Sequence, residues 1–358
     1  MPSGPLDAIT DVPGIKVGHW TDRRRATGCT VVLAPDGASP GYTNPGGAPG
    51  TIDTDLLRPE NRIPLVHAVL LSGGSAYGLE AAAGVRAQLR DDGIGFGMGE
   101  GITLMPIVVG AIVFDLGLGS GSAHPTIESG RRAVRRAKGG RVEQGSVGVG
   151  TGCTVGKLGA RDRWIKSGLG TASVRHSSGL VVGAIVAPNA VGDVYDPDTG
   201  ELLAAPRGNR RGSMTPANEL LLRKPLADYL AEAEQMRRTQ AGIADVPTNT
   251  TIGCVATNAR LTKAEATRLA IMANDGLSAS IRPAHTPADG DTIFALATGE
   301  LDLPVGQTPN LLTLLGSMAA TAVGRAIVNG INSATGLAGV PSAREWRSRP
   351  RRSRPRTG

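Results

Sequence analysis

Apolar and polar positions change rhythm several times along this 358-residue chain, and each change marks an element. From Gly14 to Pro35 two strand-like pieces, KVGHW and GCTVVLAP, flank a polar turn at 21–27 containing Arg23, Arg24 and Arg25, which predicts a hairpin. The Gly/Pro-rich stretch from Asp36 to Thr51 predicts a long loop, and such a loop in a compact domain often borders a site. Ile63 to Leu71 predicts a buried strand. Ser72-Gly73-Gly74-Ser75 then opens a helix whose stripe is Tyr77, Ala81, Val85 and Leu89. This strand, glycine turn and helix lack the Lys-Ser/Thr ending of a phosphate-binding loop and the spacing of a dinucleotide fingerprint. We read them as close backbone packing, with Tyr77 a candidate site-lining residue.

Further along, Leu104 to Leu116 is nearly continuous in apolar residues, and Arg131, Arg132, Arg135, Arg136 and Lys138 follow at the spacing of a solvated helix face. Gly145 to Gly159 predicts a glycine-rich loop holding one cation, Lys157, and Leu180 to Ala187 predicts a strand that runs into Pro188-Asn189-Ala190. Residues 200–215 are polar and Arg-rich. Asn218 to Arg238 predicts a surface helix interrupted near Pro225, followed by a linker from Ala241 to Asn249. Thr262-x-x-Glu265 is a capping box ahead of a stripe of Leu269, Met272 and Ala273. His285-Thr286-Pro287-Ala288-Asp289-Gly290-Asp291-Thr292 leads into the strand IFALAT, and a long apolar helix, Leu311 to Ile331, closes the fold.

Composition narrows the function classes. The chain carries a formal charge of +7, but seven Arg and one Glu between Pro341 and Gly358 supply +6 of it, so the other 340 residues are nearly neutral. A nucleic-acid reading would rest on this Pro/Ser/Arg tail, which holds too little apolar surface to fold by itself and is expected to be disordered. Cys29, Cys153 and Cys254 are odd in number and far apart, which indicates neither a disulfide framework nor a zinc site and fits a cytoplasmic protein. The first residues lack a signal-peptide pattern, and the apolar run from Pro106 to Phe114 is too short to span a bilayer. No membrane association is expected.

The stretch from Pro247 to Asn258, PTNTTIGCVATN, passes from a polar turn to an alternating strand within three residues. It sets the Thr250 hydroxyl where a loop enters a sheet. An N-terminal Thr can serve as nucleophile with its own α-amine as base, and that amine would be freed if the hydroxyl first attacked the Asn249 carbonyl. Thr is also an ordinary strand residue and Asn an ordinary turn residue. Cys254 shares a strand face with Thr250 and Ile252 and reads as packed.

At NTTI followed by HTPADGDTIFAL the chain resembles the self-processing L-aminopeptidase/D-esterase peptidase family, on the side of its 6-aminohexanoate-oligomer (nylon oligomer) endohydrolases. SGGSAYGLEAAAGV, VVGAIVFDL, the GTG…GK loop, VAPNAVGDV, NTTIG and DGDT occur in the expected order between about Leu6 and about Ile331. The resemblance implies a layered αββα sandwich of the N-terminal-nucleophile type shared with ornithine acetyltransferase. It implies one catalytic domain over 1–340, cut into 1–249 and 250–340 ahead of the tail at 341–358. It further implies a homo-oligomer, a tetramer in the family. No cofactor is expected, and no metal, since no further acidic residues at calcium-loop spacing follow DGD. Expected substrates are small peptides or linear oligoamides, with an aminopeptidase as the alternative and a non-enzymatic binder through the tail the weaker one.

Carried over position by position, the resemblance makes Thr250 the nucleophile freed after Asn249, Asn189 the oxyanion donor, Lys157 the site lysine, and Asp289 and Asp291 the acidic pair contacting the nucleophile. The aminopeptidase branch has Ser as nucleophile and Ser and Glu at the acidic pair, so this chain departs from it. Each assignment has a chemical reason. A side-chain amide can donate to a tetrahedral oxyanion, a lysine can favour a neutral amine by charge repulsion, and carboxylates two apart on an extended segment share a face. Each also has a plain alternative: a turn Asn after Pro188, a solvated Lys, a hairpin DGD. His285 reads as a structural loop histidine.

Overall fold

The expected N-terminal hairpin forms: β1 (Lys16–Asp22) lies antiparallel to β2 (Thr27–Thr43), from Lys16 opposite Leu33 to Asp22 opposite Thr27. The computed structural model describes residues 1–239, 249–303 and 309–348. Of the expected linker from Ala241 to Asn249, residues 241–248 lie outside the described residues, as does the end of the tail at 349–358. Contrary to the loop expected from Asp36 to Thr51, β2 continues to Thr43. Its second half is held by a partner strand, with Ser39 to Thr43 opposite Ala297 to Ile293. This pairing overrides the turn preference of Gly37, Pro40 and Gly41. Gly41 also has to be glycine, because a Cβ there would lie 2.2 Å from the Ala266 carbonyl carbon.

The chain continues through β3 (Thr51–Ile52), β4 (Val66–Ser72), α1 (Ala81–Asp91), β5 (Val108–Ile112) and α2 (Ile127–Arg135). There follow β6 (Thr154–Val155), β7 (Ile165–Lys166), β8 (Gly170–Arg175), β9 (Val181–Asn189), β10 (Asp193–Tyr195) and β11 (Leu202–Ala204). The expected surface helix is two, α3 (Ala217–Arg223) and α4 (Leu226–Thr239), broken at Pro225. The last third comprises β12 (Thr250–Ala259), α5 (Lys263–Ser280), β13 (Ile281–Arg282), β14 (Thr292–Leu301), α6 (Pro309–Ser333) and α7 (Ala343–Arg347). The Thr262/Glu265 capping box is in place at the start of α5.

The long β2 serves two sheets. Its first half pairs with β1 and β4, leading on to β5 and β3, while its second half pairs with β14, then β12, β9 and β8. Strand alternation shows how these stack. Ile252, Cys254 and Ala256 of β12, Phe294 and Leu296 of β14, and Ile185 and Ala187 of β9 join one buried cluster with Val69 and Leu71 of β4 and Val109 and Ala111 of β5. Val255, Ala184, Val186, Ile293 and Ala295, from the other face of the same strands, pack on α5 and α6. Ala68, Leu70 and Val108 pack on α1 and α2. The order of layers is therefore helices, sheet, sheet, helices. Strands buried on both faces read as continuous apolar runs, which explains their legibility in the sequence.

Two expectations need correction. Tyr77 is not part of the apolar stripe: it lies in a 3-10 turn (Ser75–Glu80) before α1 and is 69% exposed, while Ala81, Val85 and Leu89 are buried. The chain does not end its fold at α6, and 341–348 is not disordered. Ser342 caps α7 and forms a capping box with Glu345, Ala343 is buried, and Arg207 and Arg211 stack on Trp346 at 5.1 and 6.0 Å. Aromatic and capping contacts to the body thus hold residues whose composition alone would not fold. By length and composition α6 could cross a membrane. Here its buried residues, from Leu315 to Ile331, belong to the core cluster shared with α5, β8 and β9.

Candidate active site

Thr250 is the first residue of β12, and its Cα partner on the antiparallel neighbour β9 is Asn189, the last residue of that strand. Both side chains are buried, Thr250 at 4% and Asn189 at 0% exposure. Alternation places Thr250 with Ile252 and Cys254 on the face between the two sheets and turns Thr251 toward the helices. The Thr250 hydroxyl donates to the carbonyl oxygen of Asn249. The same oxygen accepts the Gly290 backbone N–H at 2.9 Å.

Asn189 is fixed at both ends of its amide. Its Nδ2 donates to the Phe114 carbonyl at 3.0 Å, and its Oδ1 accepts from the Thr154 N–H at 3.0 Å and from Lys157 Nζ at 2.7 Å. Lys157 Nζ also donates to the Asn189 carbonyl at 2.9 Å and sits 5.6 Å from the Trp164 ring centre. The lysine follows β6 in a loop docked on the turn after β9, through Gly156 N–H to Gly192 O and Lys157 N–H to Val191 O. It is buried rather than solvated, and burial lowers its ammonium to about 7 while Asp289 and Asp115 pull it back up.

The DGD turn extends β14 backward alongside Asn249. Asn249 and Asp289 form a parallel bridge that continues the β12–β14 ladder, whose first pair is Ile252 and Thr292. Both carboxylates are buried. Asp291 Oδ1 accepts the Thr251 N–H at 2.6 Å, and its Oδ2 accepts the His285 N–H and approaches His285 Nδ1, each at 2.9 Å. Asp289 Oδ2 accepts the Thr286 N–H at 2.8 Å, while its Oδ1 has no hydrogen-bond partner among the described residues. Burial raises the Asp289 pKa, and the neighbouring Asp291 charge adds to it. In the continuous chain the Asp291 carboxylate thus holds the backbone after Thr250, main-chain contacts of the DGD turn hold Asn249 before it, and the Thr250 hydroxyl is held by Asn249 rather than by either carboxylate.

Residues 44–50, all that remains of the expected loop, cover this turn. Ala48 N–H donates to Asp289 O at 2.8 Å and Gly47 N–H to Thr286 O at 3.2 Å. A Cβ on Gly46 would lie 2.4 Å from the Asp289 carbonyl oxygen, so glycine is what lets the two backbones touch.

Sequence reasoning missed several residues behind this cluster. Asp115 is 4% exposed; it accepts the Gly74 N–H at 2.7 Å and the Thr27 hydroxyl at 2.8 Å, and burial raises it to about 6. Its neighbour Phe114 supplies the carbonyl that anchors Asn189. Lys166, fully buried, ties together the carbonyls of Gly150, Cys153 and Ser167, and burial lowers it to about 8. The only signal of Asp115 was a charge ending an apolar run; Lys166 gave none. His285 proves to be a clamp on Asp291. Its Nε2 also meets Ser278 Oγ at 3.1 Å, so Ser278, His285 and Asp291 are connected like a Ser-His-Asp triad. Ser278 lies in the last turn of α5, where the N–H groups are already bonded and the dipole is negative, which disfavours an oxyanion. Tyr77 is not brought into the cluster; its ring lies 5.6 Å from that of His124. Among the described residues no group of His, Cys, Asp and Glu is placed to hold a metal ion.

The chain is similar to known peptidases and amide hydrolases. The profile of peptidase family S58 matches residues 7–344. A protein of Mycobacterium tuberculosis described as an uncharacterized aminopeptidase is 42% identical over 356 residues, covering 95% of this chain and 98% of its own. A 6-aminohexanoate-oligomer endohydrolase of a Kocuria species is 34% identical over 316 residues, 88% of this chain and 81% of its own. Among solved structures, the L-aminopeptidase D-Ala-esterase/amidase of Ochrobactrum anthropi, described as a variant of the Ntn hydrolase fold, superposes with a TM-score of 0.65. It does so at 20% identity over 94% of this chain and 88% of its own, a likeness of fold. The chain belongs to peptidase family S58 and is a hydrolase of peptide or amide bonds.

Proposed function

We propose that this protein is a self-processing N-terminal-threonine hydrolase that cuts amide bonds in peptides or linear oligoamides. The observation that carries the reading is the contact between the Thr250 hydroxyl and the Asn249 carbonyl, at the junction of a loop and a buried strand. In the first step Oγ1 bonds to the Asn249 carbonyl carbon, the C–N bond breaks, and the hydroxyl proton passes to the Thr250 nitrogen. Water then hydrolyses the ester, leaving an Asn249 carboxylate and a free Thr250 amine and hydroxyl.

In the processed enzyme the α-amine takes the hydroxyl proton as Oγ1 attacks a substrate carbonyl. An amide nitrogen carries two hydrogens. One of those on Asn189 Nδ2 is committed to Phe114, and we assign the other to the substrate oxyanion, a contribution of about 3 kcal/mol for a well-placed donor. The buried Asp289 Oδ1 is suited to accept the new ammonium. Lys157, held on both oxygens of Asn189, positions that amide and disfavours a second positive charge nearby.

Because the 42% identical relative is described as an aminopeptidase, the second reading is release of N-terminal residues. Hydrolysis of a dipeptide amide, its N-acetylated form and a linear 6-aminohexanoate oligomer distinguishes them. Turnover of the acetylated form and the oligomer supports the internal amidase, whereas activity confined to the free amine supports the aminopeptidase. No turnover of any of the three would count against both.

A further inference from the structure

The Asn249 carbonyl accepts two hydrogen bonds: one from the group that would attack its carbon, the Thr250 hydroxyl, and one from the Gly290 N–H at 2.9 Å. We propose that the Gly290 backbone N–H is the oxyanion donor for self-cleavage, distinct from the Asn189 amide that serves the substrate. This rests on the self-processing reading and deepens it. As Oγ1 adds to the Asn249 carbon, the carbonyl π electrons move onto the oxygen that Gly290 already holds. They return to re-form the carbonyl as the C–N bond breaks and the nitrogen takes the proton.

The surroundings hold this donor still. Gly290 is flanked by Asp289, tied to Thr286 N–H, and Asp291, tied to Thr251 and His285. On its other side the 46–49 segment lies against it: a Cβ at Gly290 would meet Ala48 O at 2.7 Å, Thr250 Oγ1 at 2.9 Å and Pro49 Cα at 3.4 Å. Its φ is not in the left-handed region, so glycine is required by space rather than by conformation. The absent side chain leaves the N–H free to reach the carbonyl and the Thr250 hydroxyl room where a Cβ would crowd it. The acidic pair then gains a second role, as two anchors that set one N–H between them. A donor positioned before reaction loses little in reorganisation when the charge develops.

The test removes the N–H and leaves the shape. Glycolic acid at position 290, introduced by cell-free translation of the full chain, replaces the amide nitrogen with oxygen. Lactic acid at position 48 is the control: it breaks the Ala48 to Asp289 bond in the same place but leaves Gly290 N–H on Asn249. The appearance of 1–249 and 250–358 is timed by intact mass. Self-cleavage is expected to slow roughly a hundredfold or more with the ester at 290 and less than about tenfold with the ester at 48, where no oxyanion contact is lost. Equal slowing in the two, or none at 290, overturns the proposal. An unmodified chain that stays intact removes the self-cleavage reading itself and the proposal with it. If the ester at 290 does not fold, hydrogen exchange of the Gly290 amide in Thr250→Ala protein decides: protection supports the donor, and exchange at the solvent rate refutes it.

Discussion

Thr250 and Asn189 are opposite one another on adjacent antiparallel strands, so the proposed nucleophile and the amide assigned to the oxyanion are set by strand register rather than by loops. A slip of one residue would turn Thr250 toward the helices and destroy the pair. Seven further pairs, from Thr251 with Pro188 to Thr257 with Val182, fix the register.

Asn189→Ala is expected to lower kcat about a hundredfold or more, with a smaller change in KM. It also strands the buried Thr154 N–H and removes one of the two bonds from Lys157 Nζ to residue 189, so stability should fall by about 1–3 kcal/mol. Initial rates over a range of substrate concentrations separate the two effects. An unchanged kcat would leave the Asn a purely structural role.

Stability should depend on pH through the buried charges. Burial lowers Lys157 to about 7 and Lys166 to about 8, from 10.5. Above those values the unfolded chain binds the extra protons, so their contribution rises with pH from about 7 toward 10. Asp115 has the opposite sign. Burial raises it from 3.8 to about 6, so its contribution is fully present below about pH 4 and is lost as pH rises through 6. Denaturant unfolding at several pH values should show a shallower alkaline rise in Lys157→Met and a shallower acid-side fall in Asp115→Asn. Slopes identical to those of the parent chain would contradict the assignment.

The layered fold and most of the candidate site were legible because their signals are local. Double-sided strands leave unbroken apolar runs, and NTTI, APNAVG and DGDT each carry chemistry in a few consecutive residues. What the sequence hid depends on distant partners. The Gly/Pro text of Gly37 to Gly41 reads as loop until β14 pairs with it. Lys157 reads as solvated until Asn189 and Trp164 enclose it, and Lys166 is one of three cations in RDRWIKSG, with nothing to set it apart until three carbonyls meet at its Nζ. Tyr77 had helical spacing, but the 3-10 turn before α1 rotates it outward.

The C-terminal segment offers a stability test. Removing residues 349–358 should leave the melting temperature unchanged, whereas stopping at residue 340 should lower it by about 5 °C or more. The shorter chain loses the Ser342 cap, the Lys166 N–H to Pro341 O bond at 2.9 Å, and the Trp346 indole bonded to Ser213 O at 2.7 Å. Equal melting of both truncated chains would mean that α7 adds nothing to the fold.

The measurement closest to the central claim is the intact mass of purified protein under denaturing conditions. In the proposed mechanism the hydroxyl that attacks a substrate must first attack Asn249, so cleavage and catalysis stand or fall together. The parent chain should appear as two pieces, 1–249 and 250–358, and Thr250→Ala as one inactive chain. Thr250→Ser, which keeps a hydroxyl, should be cut, and so should Thr251→Ala, whose side chain lies on the other face of β12. A Thr250→Ala protein that was still cut after Asn249 and still hydrolysed amides would contradict the account.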